Sequence, residues 1–228
     1  MDEIWQGFLK AIELIVSLDP EVMEIAGRSL RISGAAALLA SLICLPVASL
    51  IHFHNFLGKR ALINIIQTLF SVPTVVIGLF VFVLLSRAGP LGTLQFLFTP
   101  TAMIIGQMIL VTPILLGLTI SALSGVDRTV RDTALSLGAS DFQTIMVILR
   151  EARYAVVAAL IMGFGRAISE VGCALMIGGN IKGFTRIITT AISLETSKGE
   201  LELAIALGII LLSLALIVNV ALNRIQQR

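Results

Sequence analysis

The sequence predicts an all-α polytopic membrane protein, with about five transmembrane helices behind an N-terminal amphipathic helix. Three observations predict it. The 228 residues carry only 16 basic and 14 acidic side chains, 57% are hydrophobic, and the mean hydropathy is +1.01. Soluble domains are about 25% charged, so this chain has too little polar surface to face water on every side. That excludes a soluble enzyme, a disordered chain and a nucleic-acid-binding domain. Four charge-free runs are long enough to cross hydrocarbon, which takes about 20 mostly apolar residues each. The runs do not alternate polar and apolar residues as barrel strands do, so the crossing elements are helices.

Residues 1–20 stand apart. Ile4, Trp5, Phe8, Leu9, Ile12, Ile15 and Val16 recur at helical spacing, while Asp2, Glu3, Lys10 and Glu13 lie off that stripe. Asp19-Pro20 ends the pattern. The stretch is too short and too charged to span, and two readings stay open: an interfacial helix with Trp5 at the headgroups, or a helix packed on the protein itself. Acidic first charges and an interrupted apolar core argue against a signal peptide. Residues 21–228 form a single membrane domain. Its spans are Ile32 to Ile51, Ala61 to Ser86, Thr101 to Leu123 and Leu203 to Asn223. A fifth, Tyr154 to Ile177, is apolar except for Arg166 and Glu170.

Five spans place the termini on opposite sides. With the carboxyl end inside, the inner segments hold Lys59, Arg60, Arg128, Arg131, Arg150, Arg153, Arg224 and Arg228. The outer ones hold seven basic residues, so the positive-inside rule favours this orientation only modestly. Cys44 and Cys173 lie far apart in apolar stretches and form neither a disulfide framework nor a metal-ligand spacing.

One long hydrophilic loop, Ser124 to Arg153, separates the third and fourth spans. Asp127 is placed to cap a helix whose Val130, Ala134 and Leu137 share a face. Gly138 breaks it, and Ser140 or Asp141 caps a second helix containing Phe142, Ile145, Met146 and Leu149. Two short amphipathic helices joined at a glycine make a compact knob, suited to a partner's groove; a plain connecting loop is the alternative.

These residues carry a family resemblance. The stretch Asp132-Thr133-Ala134-Leu135-Ser136-Leu137-Gly138-Ala139, with Ile148 ten positions after the glycine, resembles the EAA loop of ABC importer permeases. Asp132 stands where that family has Glu, Thr133 for its first Ala, and Arg150-Glu151 where it usually has Leu-Pro. Gly165-Arg166-Ala167-Ile168-Ser169-Glu170-Val171-Gly172 resembles the R-A-x-S/G-E-x-G segment of molybdate, tungstate and sulfate importer permeases. Ser71-Val72-Pro73-Thr74-Val75-Val76-Ile77-Gly78 resembles the proline-containing core helix of the same group. Arg150-Glu151-Ala152-Arg153 and Leu194-Glu195-Thr196-Ser197-Lys198-Gly199 most resemble the tungstate importers. The resemblance implies the type I ABC importer permease fold and a homodimer in the cytoplasmic membrane. It further implies two cytoplasmic ATP-binding subunits on the loop residues Asp132, Ala134, Gly138, Ala139 and Ile148, and an external binding protein that delivers the oxyanion. ATP and Mg would then sit on the partner subunits, leaving no cofactor on this chain.

The polar residues of the spans are the candidates for a translocation pathway or gate. Arg166 and Glu170 are four apart, hence on one helical face, and each alone costs several kcal/mol in hydrocarbon, roughly 2.5–3.5 by insertion scales. They are either a structural ion pair or a source of positive potential beside an anion path. Ser169 adjoins them without a base that would make it a nucleophile. Pro73 removes a helical hydrogen bond and kinks the second span. Ser71 and Thr74 beside it either offer hydroxyls to an anion or satisfy the freed carbonyls. His52 and His54 lack further ligands for a metal. The chain contains no P-loop pattern G-x-x-x-x-G-K-[ST]. A permease for molybdate, sulfate or phosphate is one alternative. An ion-driven secondary transporter is another, though it calls for inverted repeats and acids in several spans, and only Glu170 is so placed.

Overall fold

The computed structural model describes residues 2–226, and all its regular elements are helical. Arg228, counted above with the inner basic residues, lies outside the described residues. Helix α2 (Pro20–Phe53) begins where Asp19 accepts a hydrogen bond from the Val22 amide at 3.0 Å, with Pro20 in the first turn. Its 34 residues make a rod about 51 Å long at 1.5 Å per residue, so the helix overshoots the bilayer. Glu21, Glu24, Arg28 and Arg31 all fall in the overshoot. Helix α5 (Pro100–Ser124) starts the same way, with Thr99 capping Ala102 and Pro100 in the first turn. With helix α11 (Leu201–Gln226) these are, among the described residues, the three single helices long and apolar enough to cross a membrane.

The two remaining apolar stretches are each a pair of helices bent at a break. Helix α3 (Lys59–Thr68) passes through a 3-10 turn, Leu69–Ser71, into helix α4 (Thr74–Leu85), and the axis turns by 98°. This is sharper than a proline kink. Pro73 is not inside a helix but occupies the position that caps α4. Helix α8 (Arg153–Ile168) and helix α9 (Gly172–Gly178) meet at 58° across Ser169–Val171. Counting each bent pair as one span gives five.

Helix α5 is the axle. Along α2, Ala36, Ala40, Cys44 and Ala48 are small, fully buried and four residues apart, which lets α5 and α8 approach closely. Val111 and Leu115 of α5 and Ala167 of α8 complete that cluster. Helix α10 (Ile188–Lys198), too short to span, is pinned to α2 by the Ile188 amide donating to Ser29 Oγ at 2.9 Å. Helix α1 (Asp2–Val16) packs on α11 through Gly7, Ala11 and Leu14. Its large apolar stripe, Ile4, Trp5, Phe8, Leu9, Ile12, Ile15 and Val16, is exposed. The two readings of this helix therefore belong to two different faces of it.

Helices α4 and α9 touch almost backbone to backbone. A Cβ on Gly78 would lie 2.9 Å from Cys173 Cα, where only a shift of a whole helix could relieve it. Gly78→Ala is expected to lower stability by about 1–3 kcal/mol in detergent unfolding. Gly208→Ala in α11, with no atom within 4 Å of the new Cβ, is expected to be neutral or slightly stabilising through helix propensity.

Candidate translocation site and coupling knob

The two breaks face each other. A Cβ on Gly172 would meet Val75 Cγ2 at 2.8 Å, Thr74 Oγ1 at 3.3 Å and Glu170 Oε1 at 3.7 Å, so Thr74 and Glu170 converge across a glycine. Arg166 Nη1 donates to Glu170 Oε2 at 3.0 Å. Glu170 Oε1 accepts the Cys173 amide at 2.9 Å, and the Glu170 carbonyl accepts Thr189 Oγ1 at 2.7 Å. One residue thus closes the last turn of α8, caps the first of α9 and ties down α10. Its side chain is 2% exposed, against 36% for Arg166. The guanidinium keeps further N–H groups open to the exposed side.

The pathway candidates divide between these roles. Ser169 Oγ donates back to the Arg166 carbonyl at 3.2 Å. Ser71 is exposed, Thr74 is half-buried, and neither hydroxyl has a hydrogen-bond partner among the described residues. They therefore do not satisfy the carbonyls freed at Pro73. Helix α4 starts without a side-chain cap, so its first amides and its positive dipole end point into the break. Sequence reasoning missed Thr189, 19 residues from the carbonyl it binds, for which nothing local signals. It also missed Gln107 of α5, fully buried with both amide atoms unpartnered among the described residues. No group of three metal-ligating side chains occurs among the described residues. His52 Nδ1 instead meets Ser124 Oγ, and His54 Nδ1 meets the Leu50 carbonyl.

The hydrophilic loop folds as two helices, α6 (Arg128–Ser136) and α7 (Asp141–Glu151). Asp127 caps α6 at Thr129, and hydrogen bonds from the Thr129 backbone and hydroxyl hold its carboxyl below the usual range. A depressed pKa keeps that cap fully formed at neutral pH and loses it only as pH falls through the lowered value. Ser140 and Gln143 form a reciprocal capping box on α7. Between them Gly138 has φ +83°, a left-handed conformation that costs other residues roughly 1–2 kcal/mol. Ala134 and Ile148 are buried, Ile148 against Leu123 and Ala152, which anchors the knob to α5 and α8. Ala139 is half-buried, with its amide on the Ala134 carbonyl. Asp132 is exposed, as are Leu137 at 82% and Phe142 at 72%.

Residues 38–228 match the family of binding-protein-dependent transport system inner membrane components. The chain belongs to that family. It is 41% identical over 227 residues, all of both chains, to the tungstate uptake system permease protein TupB of Peptoclostridium acidaminophilum. It is 44% identical over 212 residues, 91% of each chain, to a probable anion ABC transporter permease protein of Haloferax volcanii. Among solved structures, a chain of a bacterial alginate ABC transporter in complex with its alginate-bound periplasmic protein superposes with TM-score 0.78 at 19% identity, covering 100% of this chain and 87% of that one. The fold is accordingly that of a type I ABC importer permease, and the chain is a multi-pass membrane transport subunit. The breaks at Pro73 and Glu170 and the knob around Gly138 are parts of that subunit.

Arg166→Met would strand a carboxylate that is 2% exposed, with an expected loss of about 1–3 kcal/mol in detergent unfolding. Adding Glu170→Gln removes the charge and keeps an oxygen for the Cys173 amide. The double variant is expected to recover part of the loss, a coupling that a mutant cycle measures directly.

Proposed function

We propose that this chain is the membrane subunit of an ATP-driven, binding-protein-dependent importer of a tetrahedral oxyanion, and that the oxyanion is tungstate. The observation that carries the reading is the convergence of the two helix breaks. A dianion passing them meets the uncapped start of α4, the free hydroxyls of Ser71 and Thr74, and the exposed side of Arg166. Helix N-termini and arginine are suited to oxyanions. Glu170 neutralises part of that charge, so the ion is attracted but not held, as transit requires. The choice of tungstate rests on the full-length similarity to a tungstate uptake permease.

In this reading two copies of the chain line one path, with the N-terminus outside and the C-terminus in the cytoplasm. Two ATP-binding subunits, which carry the nucleotide and Mg, engage the α6–α7 knobs, and an external binding protein delivers the anion. ATP binding draws the two ATPases together. The knobs, seated on α5 and α8 through Ile148, pass that displacement to the helix carrying Arg166. The chain performs no bond chemistry, and the pathway alternates its access.

Uptake of labelled tungstate by the reconstituted complex, with molybdate and sulfate as competitors, tests the cargo; suppression by molybdate or sulfate at equal concentration as strong as by unlabelled tungstate would sink the assignment. Arg166→Ala is expected to abolish uptake while the complex still assembles. Gly138→Pro, which cannot adopt φ +83°, is expected to lose the ATPase partner in a pull-down. Normal uptake in the first variant, or an undiminished ATPase partner in the second, would contradict the role given to that residue.

A further inference from the structure

A furrow of about 710 Å³ lies away from both helix breaks, between the end of α2, the helix α7 and the start of α8. Leu50 and Phe53 form one wall, Val157 and Leu160 the other, and Phe142 and Ile145 of α7 close the end. A volume of this size is typical of small-molecule sites. Its polar lining is confined to Ser49, His54 and Arg153. The Ser49 hydroxyl is spent on the Leu45 carbonyl at 2.8 Å, and His54 Nδ1 meets the Leu50 carbonyl at 3.1 Å.

Arg153 is different. It stands exposed at the rim and donates through Nη2 to the Tyr154 hydroxyl at 2.7 Å, with its guanidinium 4.6 Å from the centre of that ring. It forms no ion pair among the described residues, and no carboxylate lines the furrow. A second cation, Lys59, stands outside the furrow lining at the C-terminal end of α2, beside His54. Lys59 Nζ donates to the His52 and His54 carbonyls at 2.6 and 3.2 Å. The furrow is therefore apolar along its length and positive at one end.

We propose that this furrow binds an anionic phospholipid, with an acyl chain along α2 and α8 and the headgroup phosphate on Arg153. The furrow sits where a membrane-crossing helix meets the hydrophilic knob, the depth at which headgroups lie. Basic pockets between membrane helices are suited to acidic headgroups. Guanidinium pairs with phosphate through two parallel hydrogen bonds. A free phosphate ion would leave the apolar walls unused, and a segment from a second copy would have to bring a carboxylate to Arg153. Because Phe142 and Ile145 belong to α7, the bound chain also packs one side of the coupling knob. The inference needs the membrane location of the chain but not its cargo or its ATPase.

The test uses the full-length chain, purified in mild detergent and examined by native mass spectrometry with added phosphatidylglycerol or phosphatidylcholine of the same acyl chains. Retention of phosphatidylglycerol is expected to exceed that of phosphatidylcholine by about fivefold, the factor for one basic residue at a membrane surface. Arg153→Gln is expected to remove that preference and Arg153→Lys to keep most of it. Val157→Trp, which fills the furrow and leaves the arginine, is expected to abolish retention of both lipids. A photoreactive acyl chain should label residues 45–54 and 156–160. Equal retention of the two lipids, labelling elsewhere, or a disulfide between two copies formed through Val157→Cys would each overturn the proposal, the last by making the furrow a contact between copies.

Discussion

The hydrogen-bonding of Glu170 is the interaction on which the centre of the molecule depends. A helix interrupted inside a bilayer exposes amides and carbonyls that lipid cannot satisfy. Here one carboxylate takes the Cys173 amide in the first turn of α9 and the Arg166 guanidinium together, and the same residue's carbonyl takes the Thr189 hydroxyl. Three elements, α8, α9 and α10, are positioned by one residue. The second break is organised around the first. Helix α4 rests on α9 at Gly78, and Thr74 reaches the Glu170 carboxylate's surroundings only because Gly172 has no side chain. The 98° turn at Pro73 and the 58° turn at Glu170 form a single device.

The knob obeys a different economy. Ala134, Thr144 and Ile148 are the buried residues of α6 and α7, and local chemistry shapes the rest. Asp127 caps one helix, the Ser140–Gln143 box caps the other, and Gly138 reverses the chain between them. The capping box contributes about 1 kcal/mol, and with the Asp127 cap and the turn at Gly138 it defines the shape of a pair too short to be stable alone. The knob is anchored at the buried Ile148, while Leu137 and Phe142 remain outside.

How much of this was legible in the sequence follows the range of the forces involved. The three long apolar helices and the two bent apolar pairs were legible because hydrocarbon demands length and scarcity of charge, and both are properties of a contiguous run. The two knob helices were legible because Asp127, Gly138 and Ser140 act within four residues of themselves. The Arg166–Glu170 pair was legible through helical periodicity. The sharpness of the turn at Pro73 was not, since a proline only forbids one hydrogen bond and α9 decides how far α4 swings. Thr189 was invisible because its partner lies across a loop in which Gly179 is left-handed and Arg186 offers its carbonyl to Arg28 at 2.9 Å. The side of α1 that packs was hidden for the opposite reason. Its strongest signal, the large apolar stripe, lies on the face left exposed, while Gly7 and Ala11 fit against α11 because they are small.

The two members of the central ion pair differ in kind. A carboxylate that is 2% exposed and uses both oxygens within the chain cannot exchange partners without releasing a helix start. A guanidinium that is 36% exposed can, because it has five donors and the pair uses one of its nitrogens. The same division holds at the other break, where Pro73 and Gly78 shape the turn while the Ser71 and Thr74 hydroxyls carry no internal hydrogen bond among the described residues. Groups already bound within the chain set the geometry, and the unbound ones remain available at the breaks. A motif such as Arg166-Ala167-Ile168-Ser169-Glu170 thus combines two requirements in five residues, one for a helix that stays broken and one for a cation beside the break.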